Sequence, residues 1–127
     1  MHPQAWTSDD SDAIERLKIQ YGASMIYPIS SMGSHVSAVP NHQVGRITPL
    51  ETRANVAYFG TFGYELNLAT LTEEESLKVK DQISFFKKNK GLFSQGDFYR
   101  LISPFNDKNN VAWMVVDKNK EHALVGN

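Results

Sequence analysis

The sequence predicts an α/β fold in which three strand–helix units are followed by antiparallel strands. Three segments carry the end signals of helices, and a short β-prone run precedes each of them. Trp6, Val36 and Phe62, one from each run, lie 30 and 26 positions apart, which is the size of a βα unit. After Gly91 the pattern changes to short strands. Three such units cannot close a sheet, so we expect either a small open sheet or a part of a larger barrel.

The composition is that of a globular protein. Of the 127 residues, 41% are hydrophobic, and 13 Lys and Arg residues balance 14 Asp and Glu residues, so no basic excess favours a nucleic-acid partner. The chain has no cysteine, which excludes disulfides, a cysteine nucleophile and a cysteine-ligated zinc site. No apolar run approaches the roughly 20 residues that span a bilayer, and the polar start is not a secretory signal. We therefore expect no membrane partner and a cytoplasmic location.

Capping residues predict the starts of three helices. Asp12, Thr48 and Thr72 have side-chain oxygens of the kind that cap helix N-termini, and a glutamate follows each of them three positions later. Pro49 stands at the first position of the second helix, where no backbone N–H is needed. The third helix has acidic residues in its first turn and three lysines in its predicted last turn. We expect the ends of the three helices at these positions: Gly22, about Phe59, and just before Gly91.

Short runs between and after the helices predict the strands. The runs at residues 4–8, 34–39 and 62–68 alternate with the helices. Residues 98–102 and 111–117 flank a turn-rich linker at 106–110, which predicts an antiparallel hairpin. A third strand begins within 121–125, and Trp113 is expected in the core.

The densest polar cluster, residues 6–12, lies where the first strand ends and the first helix begins. In parallel α/β folds, active sites are built at that end of the strands. Asp12 is most simply the helix cap, which leaves Asp9 and Asp10 beside Trp6. A carboxyl against an aromatic wall suits a proton donor, because desolvation favours its neutral form. The alternative is that all three aspartates are solvated loop and capping residues. The spacing does not fit a calcium loop.

A second polar stretch, residues 32–42, gives no catalytic motif. His35 and His42 are seven positions apart, which is not a recognised zinc spacing, and we predict no metal site. Ser34 and Ser37 lack the glycine-flanked turn of serine hydrolases. We therefore expect structural histidines that donate to backbone carbonyls. Arg46 and Arg53 are similarly expected on helix surfaces or in ion pairs.

Long motifs along the chain resemble the α-galactosidases of glycoside hydrolase family 36. The resemblance covers essentially the whole sequence in one register. Its segments are WTSDDSDAIERL (6–17), KIQYG (18–22), SMGSHVS (31–37), PNHQ (40–43), GRITPLETR (45–53), FGYEL (62–66) and GDFYRL (96–101).

The resemblance implies a fold and an activity. It implies that residues 1–91 are the last three βα units of a (β/α)8 barrel and that residues 92–127 begin a C-terminal antiparallel β domain. It implies retaining hydrolysis of terminal α-galactosyl residues, as in melibiose and raffinose, without a cofactor. The resemblance assigns the family's acid/base aspartate to Asp9, and Asp10 is the second choice. It implies that Trp6 either lines the sugar pocket or packs in the barrel.

The resemblance also implies that parts of the enzyme lie outside this sequence. The family's nucleophile is an aspartate on the fourth barrel strand, and nothing here aligns with that segment. We therefore expect a C-terminal fragment of an α-galactosidase that is inactive alone. Its partners would be an α-galactoside substrate and the missing barrel segments, which lie either on the same polypeptide or on a complementary chain. Full-length members of the family are expected to be homo-oligomers. The alternative is a non-catalytic remnant or a subunit that pairs with a complementary polypeptide.

Overall fold

The described residues form a parallel strand pair, three α-helices and a three-stranded antiparallel sheet. The structure, a computed structural model, describes residues 4–107 and 109–127. The predicted mixed α/β fold, with antiparallel strands at the end of the sequence, is confirmed. In chain order the elements are α1 Ala13–Ala23, β1 Gly33–Ser37, α2 Leu50–Ala57, β2 Thr61–Glu65, α3 Glu73–Gln95, β3 Asp97–Ile102, β4 Ala112–Val116 and β5 Ala123–Gly126.

The parallel pair consists of β1 and β2, joined through α2. Their register runs from Gly33 opposite Thr61 to Ser37 opposite Glu65. The prediction of a strand at residues 4–8 is wrong. Among these residues only Ala5 forms a β-bridge, which is parallel and pairs it with Met32. The chain then leaves the ladder for a turn whose backbone N–H groups bond to side chains instead. Residues 1–3 lie outside the described residues.

Helix α1 begins as predicted. The Asp12 side chain accepts a hydrogen bond from the backbone N–H of Glu15, 3.1 Å away, so the predicted cap is confirmed. The Glu15 carboxylate does not reach back to the cap and instead lies 3.8 Å from Arg46. The helix ends at Ala23, one residue past the predicted Gly22.

Helix α2 begins and ends differently from the prediction. Thr48 is not its cap: Pro49, in an extended conformation, takes the N-cap position, and no side chain caps the helix. Thr48 is buried instead. The last helical residue is Ala57, two residues before the predicted Phe59, and Tyr58 is the C-cap.

Helix α3 has the predicted start but a later end. Thr72 and Glu75 form a reciprocal capping box, with both hydrogen bonds present. The helix passes through Gly91 and ends at Gln95, so the predicted end is wrong and the lysines at 87–90 do not occupy its last turn. No helix in the described part of the chain is long and apolar enough to cross a membrane.

The antiparallel sheet has the order β3–β4–β5. The predicted hairpin is confirmed, with Asp97 opposite Val116 and a register shift between Arg100 and Ile102. Lys108, within the predicted linker 106–110, lies outside the described residues. β5 supplies the expected third strand.

One hydrophobic core connects the two sheets. Phe59, directly after α2, lies with its ring centroid 5.3 Å from Trp113 of β4 and 5.2 Å from Phe93 of α3. Trp113 is 3% exposed, which confirms its predicted core position. The remaining buried hydrophobic residues of this cluster are Tyr21, Ile29, Met32, Val36, Leu50, Ala54, Ala57, Tyr58, Val79 and Val115.

Candidate active site

The polar cluster folds into a tight turn between the Ala5 bridge and α1. We call residues 8–12 the acidic turn. The backbone N–H of Asp10 donates to Ser8 Oγ at 3.0 Å, and the backbone N–H of Asp12 donates to Asp10 Oδ1 at 3.0 Å. Such local side-chain bonds are what Ser and Asp offer the backbone in place of regular structure. They fix the turn directly after the first parallel segment.

The structure distinguishes the two candidate carboxylates. Asp10 is partly buried, and its Oδ1 is occupied by the Asp12 N–H. Asp9 is exposed, and its Oδ1 accepts a hydrogen bond of 2.8 Å from Trp6 Nε1. Within the described residues, Asp9 Oδ2 has no hydrogen-bond partner. Asp10 Oδ2 likewise has no partner there, so the two carboxylates differ in exposure and in what their Oδ1 atoms bind: Asp9 binds an indole side chain, whereas Asp10 stabilises the backbone of the turn.

Asp12 anchors the end of the turn. It is 2% exposed, caps α1 and forms an ion pair with Arg46, so the expected ion-pair role of Arg46 is confirmed. Asn41, from the same loop as Arg46, donates to Ser11 Oγ at 3.3 Å. The loop after β1 is thus attached to the acidic turn at two points.

Arg16 anchors the beginning of the turn. Its Nη2 donates to the backbone carbonyl of Gly33 at 2.7 Å, and its Nη1 lies 3.4 Å from the carbonyl oxygen of Ser8. Burial lowers the pKa of the Arg16 guanidinium, and the nearby Asp10 carboxylate opposes that shift. Arg16 also bonds to Gln20, the centre of a buried network described below. Sequence reasoning missed this residue, because nothing local shows that this face of α1 is buried.

Trp6 packs against the face of β1 that carries Gly33 and His35, which we call the inner face. Its indole is 57% exposed, and its ring centroid lies 5.3 Å from that of His35. A Cβ at Gly33 would lie 3.1 Å from Trp6 Cε3, so the ring rests against bare backbone. The expected donation of His35 to a backbone carbonyl is absent from the described residues, and the imidazole contacts Trp6 instead. The only sequence signal for this contact is the alternation that puts Gly33 and His35 on one face of a strand.

These side chains surround an open cavity of about 230 Å³. Both candidate aspartates lie on it, together with Glu65 at the end of β2, which sequence reasoning did not single out. The volume is below the roughly 300–1,000 Å³ of typical small-molecule sites. Its lining residues are Trp6, Ser8, Asp9, Asp10, Ser11, Arg16, Gly33, His35, His42 and Glu65.

A larger cavity, about 580 Å³, lies elsewhere and has different chemistry. In the part of the chain that the structure describes, its lining contains no carboxylate or histidine and consists of Gln4, Ala5, Tyr27, Pro28, Ser30, Ser31, Ser94 and Gln95. General acid/base catalysis needs a group that exchanges protons near neutral pH. The smaller cavity is therefore the candidate active site in spite of its size.

The other chemistries considered from the sequence have no support here. Ser34 is 1% exposed and its hydroxyl donates to Gln20, while the Ser37 hydroxyl donates to the Ser11 carbonyl. Both serines are buried, and their hydroxyls donate to an amide oxygen and a backbone carbonyl rather than to a general base. Residues 4–107 and 109–127 contain no group of three side chains suited to hold a metal ion. Arg53 is buried and donates to the Ser37 carbonyl at 2.7 Å, rather than lying on the helix surface or in an ion pair.

Comparison with known proteins gives a consistent result in sequence and in fold. The Melibiase family model matches residues 1–96. Alpha-galactosidase AgaA of Geobacillus stearothermophilus is 57% identical over 123 residues, which are 97% of this chain and 17% of that protein. The bifunctional alpha-galactosidase/sucrose kinase AgaSK of Mediterraneibacter gnavus is 53% identical over 97% of this chain and 13% of its own length. The chain thus spans less than a fifth of these relatives.

Solved structures agree. The crystal structure of GH36 alpha-galactosidase AgaA matches with a TM-score of 0.93 and 56% identity, over 96% of this chain and 17% of that one. A variant of the same enzyme in complex with raffinose matches equally well. Over nearly its whole length the chain is similar to part of the GH36 α-galactosidases, and because the family model covers three quarters of it, this chain belongs to the melibiase family.

Proposed function

We propose that this chain supplies the acid/base carboxyl and part of the sugar pocket of a retaining α-galactosidase. The observation that carries the proposal is the position of Asp9, which is exposed on the cavity and whose Oδ1 is held by the Trp6 indole, while its Oδ2 has no hydrogen bond to the described residues. The substrate class is that of the relatives, α-galactosides such as raffinose and melibiose. The complex of AgaA with raffinose supports this assignment.

The proposal includes a position in a larger barrel. The Ala5 segment, β1 and β2 would be its last three strands, within residues 1–91, and β3–β5 would begin the C-terminal β domain, within residues 92–127. The acidic turn follows the first of these strands and Glu65 ends the last. Both then lie at the carboxyl ends of parallel strands, where barrel enzymes build active sites.

The reaction needs two carboxyl groups, about 5–5.5 Å apart in retaining enzymes. Asp9, in its neutral form, protonates the glycosidic oxygen as the bond to the anomeric carbon breaks. A second carboxylate forms the covalent glycosyl intermediate, and Asp9 then takes a proton from the attacking water. That nucleophile would come from a segment outside this sequence, since the relatives are about six times longer. No cofactor is required.

Trp6 is proposed as a wall of the galactose site. The indole lines the cavity together with Asp9 and donates to its carboxylate, so the ring and the proposed acid/base carboxyl border the same space. Aromatic faces offer sugars an apolar contact surface while their N–H groups remain available for hydrogen bonds. We therefore favour sugar contact over barrel packing for this residue.

The proposal is tested by grafting this chain into AgaA in place of the matched segment, giving what we call the grafted enzyme. Asp9→Asn should lower kcat/KM for raffinose by roughly a hundredfold or more, the range of general acid catalysis. The loss on 2,4-dinitrophenyl α-galactoside should be far smaller, because that leaving group needs no proton. Asp10→Asn is the matched control, since an asparagine oxygen still accepts from Asp12 N–H.

The outcomes separate the alternatives. Equal losses of Asp9→Asn on both substrates would contradict an acid/base role for Asp9. A leaving-group-dependent loss in Asp10→Asn alone would assign the role to Asp10. A grafted enzyme that folds but lacks activity would contradict the proposed function as a whole.

A second candidate function is that of a non-catalytic chain that pairs with a complementary polypeptide. Several large apolar side chains are solvent-exposed, among them Ile26 at 79%, Ile47 at 70% and Val125 at 60%. Such exposure is typical of surfaces that contact other protein. The isolated chain should release no nitrophenol from an α-galactoside and should associate in light scattering. Activity that appears when the preceding AgaA segments are added would instead support the catalytic proposal.

A further inference from the structure

We infer that Trp6 and His35 act together as positioning residues for Asp9. The indole N–H fixes one carboxyl oxygen and leaves the other to exchange the proton, and the imidazole fixes the indole. The inference rests on the proposed function, because it concerns the carboxyl that this function makes the acid/base.

The first step is the hydrogen bond from Trp6 to Asp9. Nε1 lies 2.8 Å from Oδ1, and Oδ2 has no partner within the described residues. An indole nitrogen only donates, so the oxygen that it contacts accepts whether the carboxyl is neutral or ionised. The acid proton is therefore confined to Oδ2. The bond determines which oxygen carries the proton and in which direction it points.

The second step is what holds the indole. A side chain that is 57% exposed is free to change rotamer unless something contacts it. His35 provides that contact, with ring centroids 5.3 Å apart and planes tilted by 38°. The backbone at Gly33 provides another, since a Cβ there would lie 3.1 and 3.2 Å from two indole carbons. The ring is thus supported at two points on the inner face of β1.

The third step is what holds the imidazole. His35 pairs with Gly63 across the parallel ladder, and a Cβ at Gly63 would lie 2.9 Å from His35 Cδ2. The next pair along the strands, Val36 with Tyr64, faces the helices and has bulky side chains. On the inner face, Gly63 has no side chain and therefore leaves room for His35.

The proton balance is as follows. In the first half-reaction the proton on Oδ2 moves to the glycosidic oxygen, which keeps the electron pair of the breaking bond, while the nucleophilic carboxylate bonds to the anomeric carbon. In the second, water bonds to that carbon, gives a proton to Oδ2 and releases the nucleophile. Trp6 donates to Oδ1 throughout and neither gains nor loses a proton.

The test uses the grafted enzyme with raffinose and 2,4-dinitrophenyl α-galactoside. Trp6→Phe keeps an aromatic ring but removes the N–H, and it should lower kcat/KM for raffinose roughly ten- to a hundredfold, as expected for a hydrogen bond to an ionisable group. For the aryl substrate the loss should stay below about threefold. Tyr64→Phe is the matched control, because it removes a 2.8 Å hydrogen bond to Gln82 on the outer face of the neighbouring strand.

His35 is tested by a pair of variants. His35→Ala removes the support and should lower raffinose hydrolysis about two- to tenfold, the range of one aromatic contact, with less effect on the aryl substrate. His35→Phe restores a ring and should recover most of the loss. Equal losses on both substrates in Trp6→Phe, or a His35→Phe variant as impaired as His35→Ala, would overturn the inference. If Asp9→Asn behaves as proposed while Trp6→Phe is unaffected, the positioning role fails and the proposed function stands.

Discussion

Replacement of Gln20 by alanine should produce a large loss of stability. Gln20 is 2% exposed and makes four hydrogen bonds. Its Nε2 donates to the carbonyls of Val56 and Phe59 at 3.1 and 3.2 Å, and its Oε1 accepts from Ser34 at 2.9 Å and from Arg16 at 3.2 Å. One side chain thus connects α1 to the end of α2 and to β1.

The magnitude follows from the groups that remain. Each buried polar group left without a partner costs about 1–3 kcal/mol. Gln20→Ala leaves the Phe59 carbonyl, the Ser34 hydroxyl and the Arg16 Nε–H in that state. The Val56 carbonyl still accepts from the backbone N–H of Phe59. The Ser34 hydroxyl can rotate, and water entering the space restores part of the loss. We therefore expect the free energy of unfolding to fall by roughly 3 kcal/mol, which is a large share of the roughly 5–15 kcal/mol of a typical domain.

The assay is urea unfolding of the chain, followed by circular dichroism. Gln43→Ala is the matched control, because the Gln43 side chain is exposed and makes no hydrogen bond within the described residues, so its loss should stay within about 0.5 kcal/mol. A Gln20→Ala variant that loses less than about 1 kcal/mol would refute the view that this network organises the fold.

Two further predictions concern α3 and alkaline pH. Thr72→Ala removes the capping-box oxygen and should lower the free energy of unfolding by about 1 kcal/mol; unchanged hydrogen exchange of the Glu75 amide would contradict this. Burial raises the pKa of Tyr58 to about 12 from its ordinary 10, so the folded chain holds the phenol proton more tightly than the unfolded chain. Its contribution, at most about 2.7 kcal/mol, is complete below pH 10 and is lost as pH rises from about 10 to 12. Urea midpoints at pH 9 and 11.5 measure this loss, and Tyr58→Phe should reduce it.

Local chemistry made the starts of α1 and α3 predictable, whereas the cap of α2 was predicted wrongly and tertiary contacts made the end of α3 unpredictable. The caps at Asp12 and Thr72 depend on groups three residues away, so the sequence contains all the information. The end of α3 depends instead on Phe93, which is 4% exposed and lies against Phe59. Burying a phenylalanine contributes about 1.5–3 kcal/mol, which exceeds the roughly 1 kcal/mol cost of Gly91 in a helix. The helix therefore continues past the glycine.

The candidate site was predictable as a region but not as a set of roles. The local pattern did not separate Asp9 from Asp10, and only the family resemblance favoured Asp9, because the difference between them depends on which donor the turn directs at which carboxylate. In the structure, Asp12 N–H contacts Asp10 and the indole of Trp6 contacts Asp9. The contact of His35 with Trp6 depends on how the segment at Ala5 pairs beside β1, a long-range pairing that the residues around His35 do not encode.

The aromatic contact of Phe59 with Trp113 has a consequence for how such genes can be recombined. The match to the family model stops at residue 96, directly before β3. A designer of hybrid genes would therefore choose this position to join segments from two homologues. Yet a crossover there would exchange Trp113 while keeping Phe59, and two side chains that lie 5.3 Å apart would then come from different parents. Hybrids between distant homologues joined at this point should inherit mismatched aromatic partners, so we expect viable shuffled genes to keep the two flanks together.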